Sequence, residues 1–304
     1  MPQLIWLVTA TTSGLGAELV RELVARGEKV IATGRKANER LSHLKSDDVA
    51  IIDLDVSAPA AEIEAQVKKA WDVWGRIDVL MNNAGIAAFK NIEEADDAFL
   101  QNIFNVNLFG NLRVTQSILP YFRAQKSGTI AFTGAGLSWA PMPFFTPYSA
   151  SKAALNIFVE GLAKEVKQFN INCIMFEPGG FESNLGAPRE ESSEGPEPAI
   201  AEYKPLFYEV MGAFVNEIVP AKPGDVQKIS TRIVDGVKGE GLFAGRPKPI
   251  RVILGSDSLG AVQQKVQEQG KLAEEWKDVS LSTDLDGHDH QPSQAMLAYM
   301  SILK

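Results

Sequence analysis

The chain alternates short apolar runs with amphipathic segments of helical spacing over about its first 180 residues, which restricts the folds open to it. The first run, "LIWLVTA" at 4–10, is continuously apolar, as expected for a parallel strand covered on both faces. The turn "TTSGLG" follows, then a helix stopped at Gly27 and a second strand at 29–35. This order predicts a βαβ unit.

The same alternation continues along the chain. Further strands are predicted at 49–56, 77–85, 128–135, 171–180 and 249–255. Further helices are predicted at 60–74, about 95–125, about 148–169 and 258–277. The pattern predicts an α/β protein, a single Rossmann-like doubly wound parallel sheet with helices on both faces and a C-terminal helical extension.

We expect residues 1–255 to form one dinucleotide-binding and catalytic domain, with 256–304 as an extension rather than an independent domain. Segment 186–199 is rich in Pro, Glu, Ser and Gly, which suits a loop better than a core. We therefore predict a lid at 184–222. Aromatic residues at 200–218 are compatible with a packing helix or with a substrate wall.

Composition limits the partners. A net charge of −8 argues against nucleic acid and anionic membranes and favours a small molecule. The N-terminal apolar run is too short to span a membrane, and we expect no membrane span. With Cys173 as its single cysteine, the chain suits a reducing, cytoplasmic location. His288 and His290 lie in a polar terminal loop and are expected to be solvated, so no metal site is predicted.

The turn "TATTSGLG" at 9–16 and the end of the second strand indicate a nucleotide site. A glycine turn before a helix places backbone N–H groups and the helix's positive end beside a pyrophosphate. At the end of the second strand, Gly34 stands where an acidic residue would bind the ribose hydroxyls of NAD, and Arg35 and Lys36 follow it. A guanidinium there suits a ribose 2′-phosphate, so we predict NADP(H) as the cofactor.

Several motifs occur in a fixed order: "DLDV", "NNAG" at 82–85, Asn107 in "NVNLFG", "YSASK" at 148–152 and "PGGFES" at 178–183. In these motifs the chain resembles the short-chain dehydrogenase/reductase family over about residues 5 to 185, although Ala10 replaces the first glycine of the family's turn. With Arg35, the resemblance implies these cofactor-binding residues: Thr9, Thr12, Ser13, Gly14, Leu15, Gly16, Arg35, Asp55, Val56, Asn83, Ala84, Gly85, Tyr148, Lys152, Pro178, Gly179, Phe181 and Ser183.

Tyr148 and Lys152 are four residues apart, so they share one helix face, where a cationic lysine would lower the pKa of the phenol. The resemblance implies that Tyr148 delivers a proton to a carbonyl oxygen, that Lys152 binds the nicotinamide ribose and that Asn107 holds a water of the proton relay. It also implies that Ala135 occupies the place of the family's catalytic serine. Ser138 lies three residues away, and its hydroxyl is expected to point elsewhere.

Three explanations of Ala135 remain open: a natural loss in an enzyme whose substrate or ordered water polarises the carbonyl, a shift to other chemistry, or an introduced substitution. Trp139, Met142, Phe144 and Phe145 precede the catalytic helix and fit either a pocket wall or the core.

We predict an NADP-dependent oxidoreductase that reduces a ketone, or oxidises a secondary alcohol, on a lipophilic small molecule. The alternatives are a non-redox isomerase, epimerase or cyclase, or a catalytically silent NADP-binding protein. The resemblance further implies homodimers or homotetramers built through the helices at about 95–125 and 148–169.

Overall fold

Seven parallel strands form one sheet in the computed structural model, which describes residues 3–181 and 197–301. The strands are β1 Ile5–Val8, β2 Lys29–Gly34, β3 Val49–Asp53, β4 Val79–Asn82, β5 Gly128–Thr133, β6 Ile171–Pro178 and β7 Arg251–Leu254. Their order across the sheet is β3-β2-β1-β4-β5-β6-β7. The predicted Rossmann-like parallel sheet is confirmed.

Helices connect the strands and extend the chain beyond β7. They are α1 Gly14–Ala25, α2 Ala37–Arg40, α3 Ala60–Trp74, α4 Asp97–Phe104, α5 Asn111–Gln125, α6 Thr146–Val166, α7 Lys204–Ala213, α8 Val226–Lys238, α9 Ser256–Glu275, α10 Lys277–Leu281 and α11 Gln294–Met300. The predicted helix at 95–125 is interrupted by a π-helical turn, Asn105–Gly110.

The sheet buries both of its faces because side chains alternate along each strand. On one face, Leu7 and Leu80 pack in a cluster with residues of α3, α5 and α6. On the other face, Trp6 and Met81 pack with residues of α1 and α8. Strands covered on both sides are apolar throughout, which is the pattern seen in the sequence.

The strand order reverses at β1: β2 and β3 lie on one side of it, and β4 to β7 lie on the other. Val8 of β1 pairs with Ala32 of β2 on one side and with Met81 of β4 on the other. Because all strands are parallel, their carboxyl ends meet at one edge, and a crevice opens where the order reverses. This edge carries the cavity described below.

The C-terminal extension begins against the sheet. Ser258 of α9 is buried and donates a hydrogen bond to the Glu177 carbonyl at the end of β6 (3.2 Å). The division into a domain at 1–255 and an extension at 256–304 stays a prediction. None of the helices in the described ranges is long and apolar enough to cross a membrane.

Candidate active site

A cavity of about 540 Å³ lies at the carboxyl edge of the sheet. Loops that follow six strands, β1 to β6, contribute its walls. Most of the predicted cofactor residues line it: Thr12, Ser13, Gly14, Leu15, Arg35, Asp55, Val56, Asn83, Ala84, Gly85, Tyr148, Lys152, Pro178, Gly179 and Phe181. The sheet therefore brings together residues that lie far apart in the sequence.

Thr9 and Gly16 belong to the scaffold of this cavity and do not line it. The Thr9 hydroxyl is fully buried and accepts the backbone N–H groups of Asn83 (2.9 Å) and Ala84 (3.0 Å). At Gly16, an added Cβ would lie 2.3 Å from the carbonyl oxygen of Ala10, so only glycine fits there. Both residues hold the turn after β1 against the turn after β4.

Ala10 has a φ of +56°, in the left-handed region that favours glycine. Ala10 lines the cavity, and its carbonyl accepts the Asn83 side-chain amide at 3.3 Å. The turn therefore keeps its glycine-type backbone with an alanine in it, and the conformation carries a local strain.

The turn after β2 brings two guanidinium groups to the cavity. Arg35 was predicted, whereas Arg40, at the end of the short helix α2, was missed. Lys36 has a φ of +51° where α2 begins. On the adjoining wall, Asp55 accepts both the backbone N–H (2.9 Å) and the hydroxyl (2.6 Å) of Ser57.

Tyr148 and Lys152 both line the cavity from α6, and both are nearly fully buried. The ammonium of Lys152 donates to the Thr133 carbonyl at 2.8 Å. Burial lowers the pKa of Lys152 to about 8 and raises the pKa of Tyr148 above its ordinary value. We expected Lys152 to lower the pKa of Tyr148, but the pKa of Tyr148 is raised, because desolvation disfavours the charged forms of both side chains.

Asn107 lies in the π-helical turn and is fully buried. Its side-chain oxygen accepts the Ile86 N–H (2.7 Å), and its amide donates to the Ile86 carbonyl (2.9 Å) and to Ser151 (3.0 Å). Its backbone carbonyl accepts the Asn111 amide at 2.7 Å. Asn107 thus ties the loop after β4 to α6, one turn from Tyr148.

Ala135 lines the cavity at the end of β5 and belongs to an apolar cluster with Phe145 and Tyr148. The Ser138 hydroxyl turns away from the cavity: it donates to the Ala135 carbonyl (2.6 Å) and accepts the Asn156 amide (2.7 Å). Ser138 therefore supplies no hydroxyl at the position of residue 135.

The residues before α6 that fit either a pocket wall or the core do not line the cavity, and they divide into two groups. Phe145 and Met142 pack beside Ala135 and Tyr148, together with Phe214. Trp139 instead faces the buried Glu177, to which its indole N–H donates at 2.8 Å, and the Arg251 guanidinium stacks on its ring. Phe144 packs edge-on against Phe207.

The region after β6 is described only in part. The Gly180 N–H donates to Asp257 (2.6 Å), and Phe181 bridges to Gly224. Ser183 and the first part of the predicted lid, up to residue 196, lie outside the described residues.

Ten of the 26 residues that line the cavity were not predicted from the sequence. The missed residues are Ala10, Gly34, Arg40, Leu54, Ser57, Ile86, Asn102, Val106, Thr133 and Gly134. Most of them are neighbours of a predicted residue on the same loop. The strand-end rule, that a ligand binds at the loops after the carboxyl ends of parallel strands, therefore finds them.

The terminal loop brings Asp284, His288 and His290 together, with one ligand atom of each within 4.8 Å of the others. All three are exposed, and the Asp284 carboxylate lies 2.7 Å from Nδ1 of His290. None of them lines the cavity.

Comparison with known proteins identifies the family. The sequence model of the short chain dehydrogenases matches residues 5–194. The chain belongs to the short-chain dehydrogenase/reductase family of oxidoreductases. A short-chain dehydrogenase from Streptomyces avermitilis has 31% identity and a TM-score of 0.80, over 93% of this chain and 100% of that one.

Two curated relatives of this dehydrogenase add to the comparison. Oxidoreductase BOA17 of Botryotinia fuckeliana is 29% identical over 92% of this chain and 98% of its own length. The NADPH-dependent 1-acyldihydroxyacetone phosphate reductase of Saccharomyces cerevisiae is 33% identical over 62% of this chain and 64% of its own length.

Proposed function

We propose that this short-chain dehydrogenase is an NADP(H)-dependent oxidoreductase that reduces a ketone, or oxidises the matching secondary alcohol, on a lipophilic small molecule. One observation carries the proposal: Tyr148 and Lys152 line the same cavity as the glycine turn and Arg35. The apolar cluster around Phe145 supports a lipophilic substrate.

The residues at the cavity suit a dinucleotide. Small residues leave room for close backbone approach, and an added Cβ at Gly85 would lie only 3.2 Å from the Lys152 ammonium. Ser13 makes no side-chain cap to α1, so the N–H groups of its first turn face the cavity without a capping side chain. These N–H groups would bind the pyrophosphate.

NADP(H) is favoured over NAD(H) by charge. Arg35 and Arg40 both line the cavity beside the end of β2, where a ribose 2′-phosphate would be bound. Guanidinium groups form strong charge-assisted bonds to phosphate. The yeast relative named above is NADPH-dependent, which agrees with this preference.

The residues of the chain bind, orient and protonate, while NADPH when bound supplies the hydride. The Tyr148 hydroxyl, kept protonated by its raised pKa, would donate to the substrate oxygen. The Lys152 ammonium would bind the nicotinamide ribose, and anionic phosphates nearby would favour its charged form. Asn107 would hold the β4 loop and α6 in register for this transfer.

The test is a paired assay of this chain and its Ala135→Ser variant with NADPH and bulky apolar ketones, followed by cofactor absorbance and product mass. Restoring an oxyanion donor is expected to raise kcat by about 10²-fold or more. Tyr148→Phe should abolish reduction in both backgrounds.

The alternatives give different results in the same assay. Product formed at constant NADPH would indicate an isomerase, epimerase or cyclase. NADPH binding without turnover by either protein would indicate a silent nucleotide-binding protein. Activity that survives Tyr148→Phe would show that Tyr148 is not the proton donor.

A further inference from the structure

Among the described residues at the reacting end of the cavity, Tyr148 supplies the one hydroxyl donor that faces a substrate oxygen in our proposal. Ala135 presents a methyl group, and the Ser138 hydroxyl is engaged behind it by Asn156 and the Ala135 carbonyl. Among the described residues lining the cavity there, Thr133 has a hydroxyl, but it donates to Asn83 at 3.2 Å.

The surroundings of Ala135 are apolar and aromatic. Phe145 lies 4.1 Å from Phe89 and 5.8 Å from Phe214 between ring centroids, and its ring also meets Tyr148 edge-on at 6.5 Å. A substrate hydroxyl buried beside this cluster without a hydrogen-bond partner would weaken binding, because it would lose its bonds to water. A hydroxyl bonded within the substrate itself avoids that cost.

A carbonyl oxygen gains negative charge as hydride adds to its carbon, and two hydrogen-bond donors stabilise that charge better than one. An aryl ketone with a hydroxyl ortho to the carbonyl forms an internal O–H···O=C bond in a six-membered ring. Such a ketone brings its own second donor, satisfied internally, and a flat apolar ring that suits the apolar cluster to which Ala135 and Tyr148 belong.

We propose that the substrates of this chain are aryl ketones, or equivalent enolised ketones, whose internal hydroxyl replaces the donor absent at residue 135. This inference rests on the proposed function. The carbonyl carbon forms the new C–H bond with the hydride of NADPH, which becomes NADP⁺. The π electrons move to oxygen, and the oxygen takes the proton of Tyr148. The internal hydroxyl keeps its proton and only donates a hydrogen bond.

The experiment compares ortho-hydroxyacetophenone, para-hydroxyacetophenone and ortho-methoxyacetophenone with NADPH, at a pH at which both phenols stay protonated. The para isomer has the same electron donation without the internal bond, and the methoxy compound has similar bulk without the donor. The native chain is expected to favour the ortho-hydroxy ketone by about 10²-fold in kcat/KM.

Ala135→Ser should remove this preference by raising reduction of the other two ketones about 10²-fold while leaving the ortho-hydroxy ketone nearly unchanged. Ser149→Ala is the matched control, since Ser149 is buried next to Tyr148, its hydroxyl has no hydrogen-bond partner among the described residues, and it does not line the cavity. It should preserve the preference.

Calorimetry of the three ketones with NADP⁺-loaded protein distinguishes an effect of the internal hydrogen bond on the rate from an effect of ketone shape on binding. The internal donor predicts similar Kd values for the two ortho compounds and a difference in kcat. A preference found wholly in Kd, equal rates for ortho and para isomers, or an equal gain for every ketone in Ala135→Ser overturns the inference alone. No reduction of any ketone by either protein overturns the proposed function and the inference together.

Discussion

Ala10 and Ala135 line the same cavity, and each replaces a residue with a specific role in the family pattern. At residue 10 the backbone keeps a φ of +56°, which costs alanine about 1–2 kcal/mol relative to an ordinary conformation. At residue 135 the backbone is extended and unstrained, and what is lost is a hydroxyl. The first substitution therefore bears on stability and the second on chemistry.

Ala10→Gly is expected to raise the free energy of unfolding by up to about 1 kcal/mol, because relief of the left-handed strain exceeds the added entropy of the unfolded chain. Urea unfolding measures the change. Ala17→Gly, inside α1, is the matched control and should lower stability by about as much. If Ala10→Gly lowers the free energy of unfolding as much as Ala17→Gly does, Ala10 is not strained.

Single residues show what the sequence could and could not predict. The orientation of the Ser138 hydroxyl was anticipated from its spacing alone, and the structure agrees. The raised pKa of Tyr148 was not anticipated. It results from burial of both Tyr148 and Lys152, and the spacing of two residues in the sequence does not show how deeply they are buried. Arg40 was missed because only the turn at Lys36 and the helix α2 bring it to the cavity.

At the scale of elements, α8 was missed although its signals are present in the sequence. Asp225 caps its first turn, Ile229 and Ile233 face the core, and Gly239 ends it with a φ of +72°. Apolar residues at i, i+4 and i+8 between a capping Asp and a terminal Gly are a sufficient indication of a helix. The π-helical turn between α4 and α5 has no such signal, because it arises from the bonds made by Asn107.

The Asp225 cap makes a prediction for α8. Its carboxylate accepts the N–H groups of Gln227 (2.9 Å) and Lys228 (3.1 Å), so Asp225→Ala should cost about 1 kcal/mol of stability. Asp225→Asn keeps an acceptor and should cost much less. Chemical denaturation measures both variants. Equal losses would show that the negative charge matters more than the capping bonds.

At the scale of the whole molecule, charge is distributed unevenly. The chain carries a net charge of −8, yet Arg35, Arg40 and Lys152 line the cavity. An anionic dinucleotide is repelled by the whole protein and attracted locally. The strand-end rule predicted most of the cavity because it follows from parallel strands. The positive charge at the cavity could not be predicted in the same way, because it depends on where α2 and α6 lie in the folded protein.

Arg40→Ala is expected to weaken NADPH binding about 10-fold or more, since one charge-assisted bond to the 2′-phosphate is worth about 1.5–3 kcal/mol. NADH, which lacks that phosphate, should bind with nearly unchanged affinity. Fluorescence titration measures both. Arg21→Ala, on α1 and outside the cavity, is the control. Equal losses for the two cofactors would assign Arg40 to a general electrostatic role.

The parallel pairing of β1 with both β2 and β4 has a consequence for how the protein folds and persists. All six strand pairs of the described sheet are parallel, so none of them is joined by a hairpin and each closes a long loop, and such topologies fold slowly. Because loops from six strands form the cavity, a ligand binds only after the sheet has assembled. Such a ligand at about 100 times its Kd adds about 2.7 kcal/mol to the folded state. The melting temperature of this chain is thus expected to follow the supply of its cofactor.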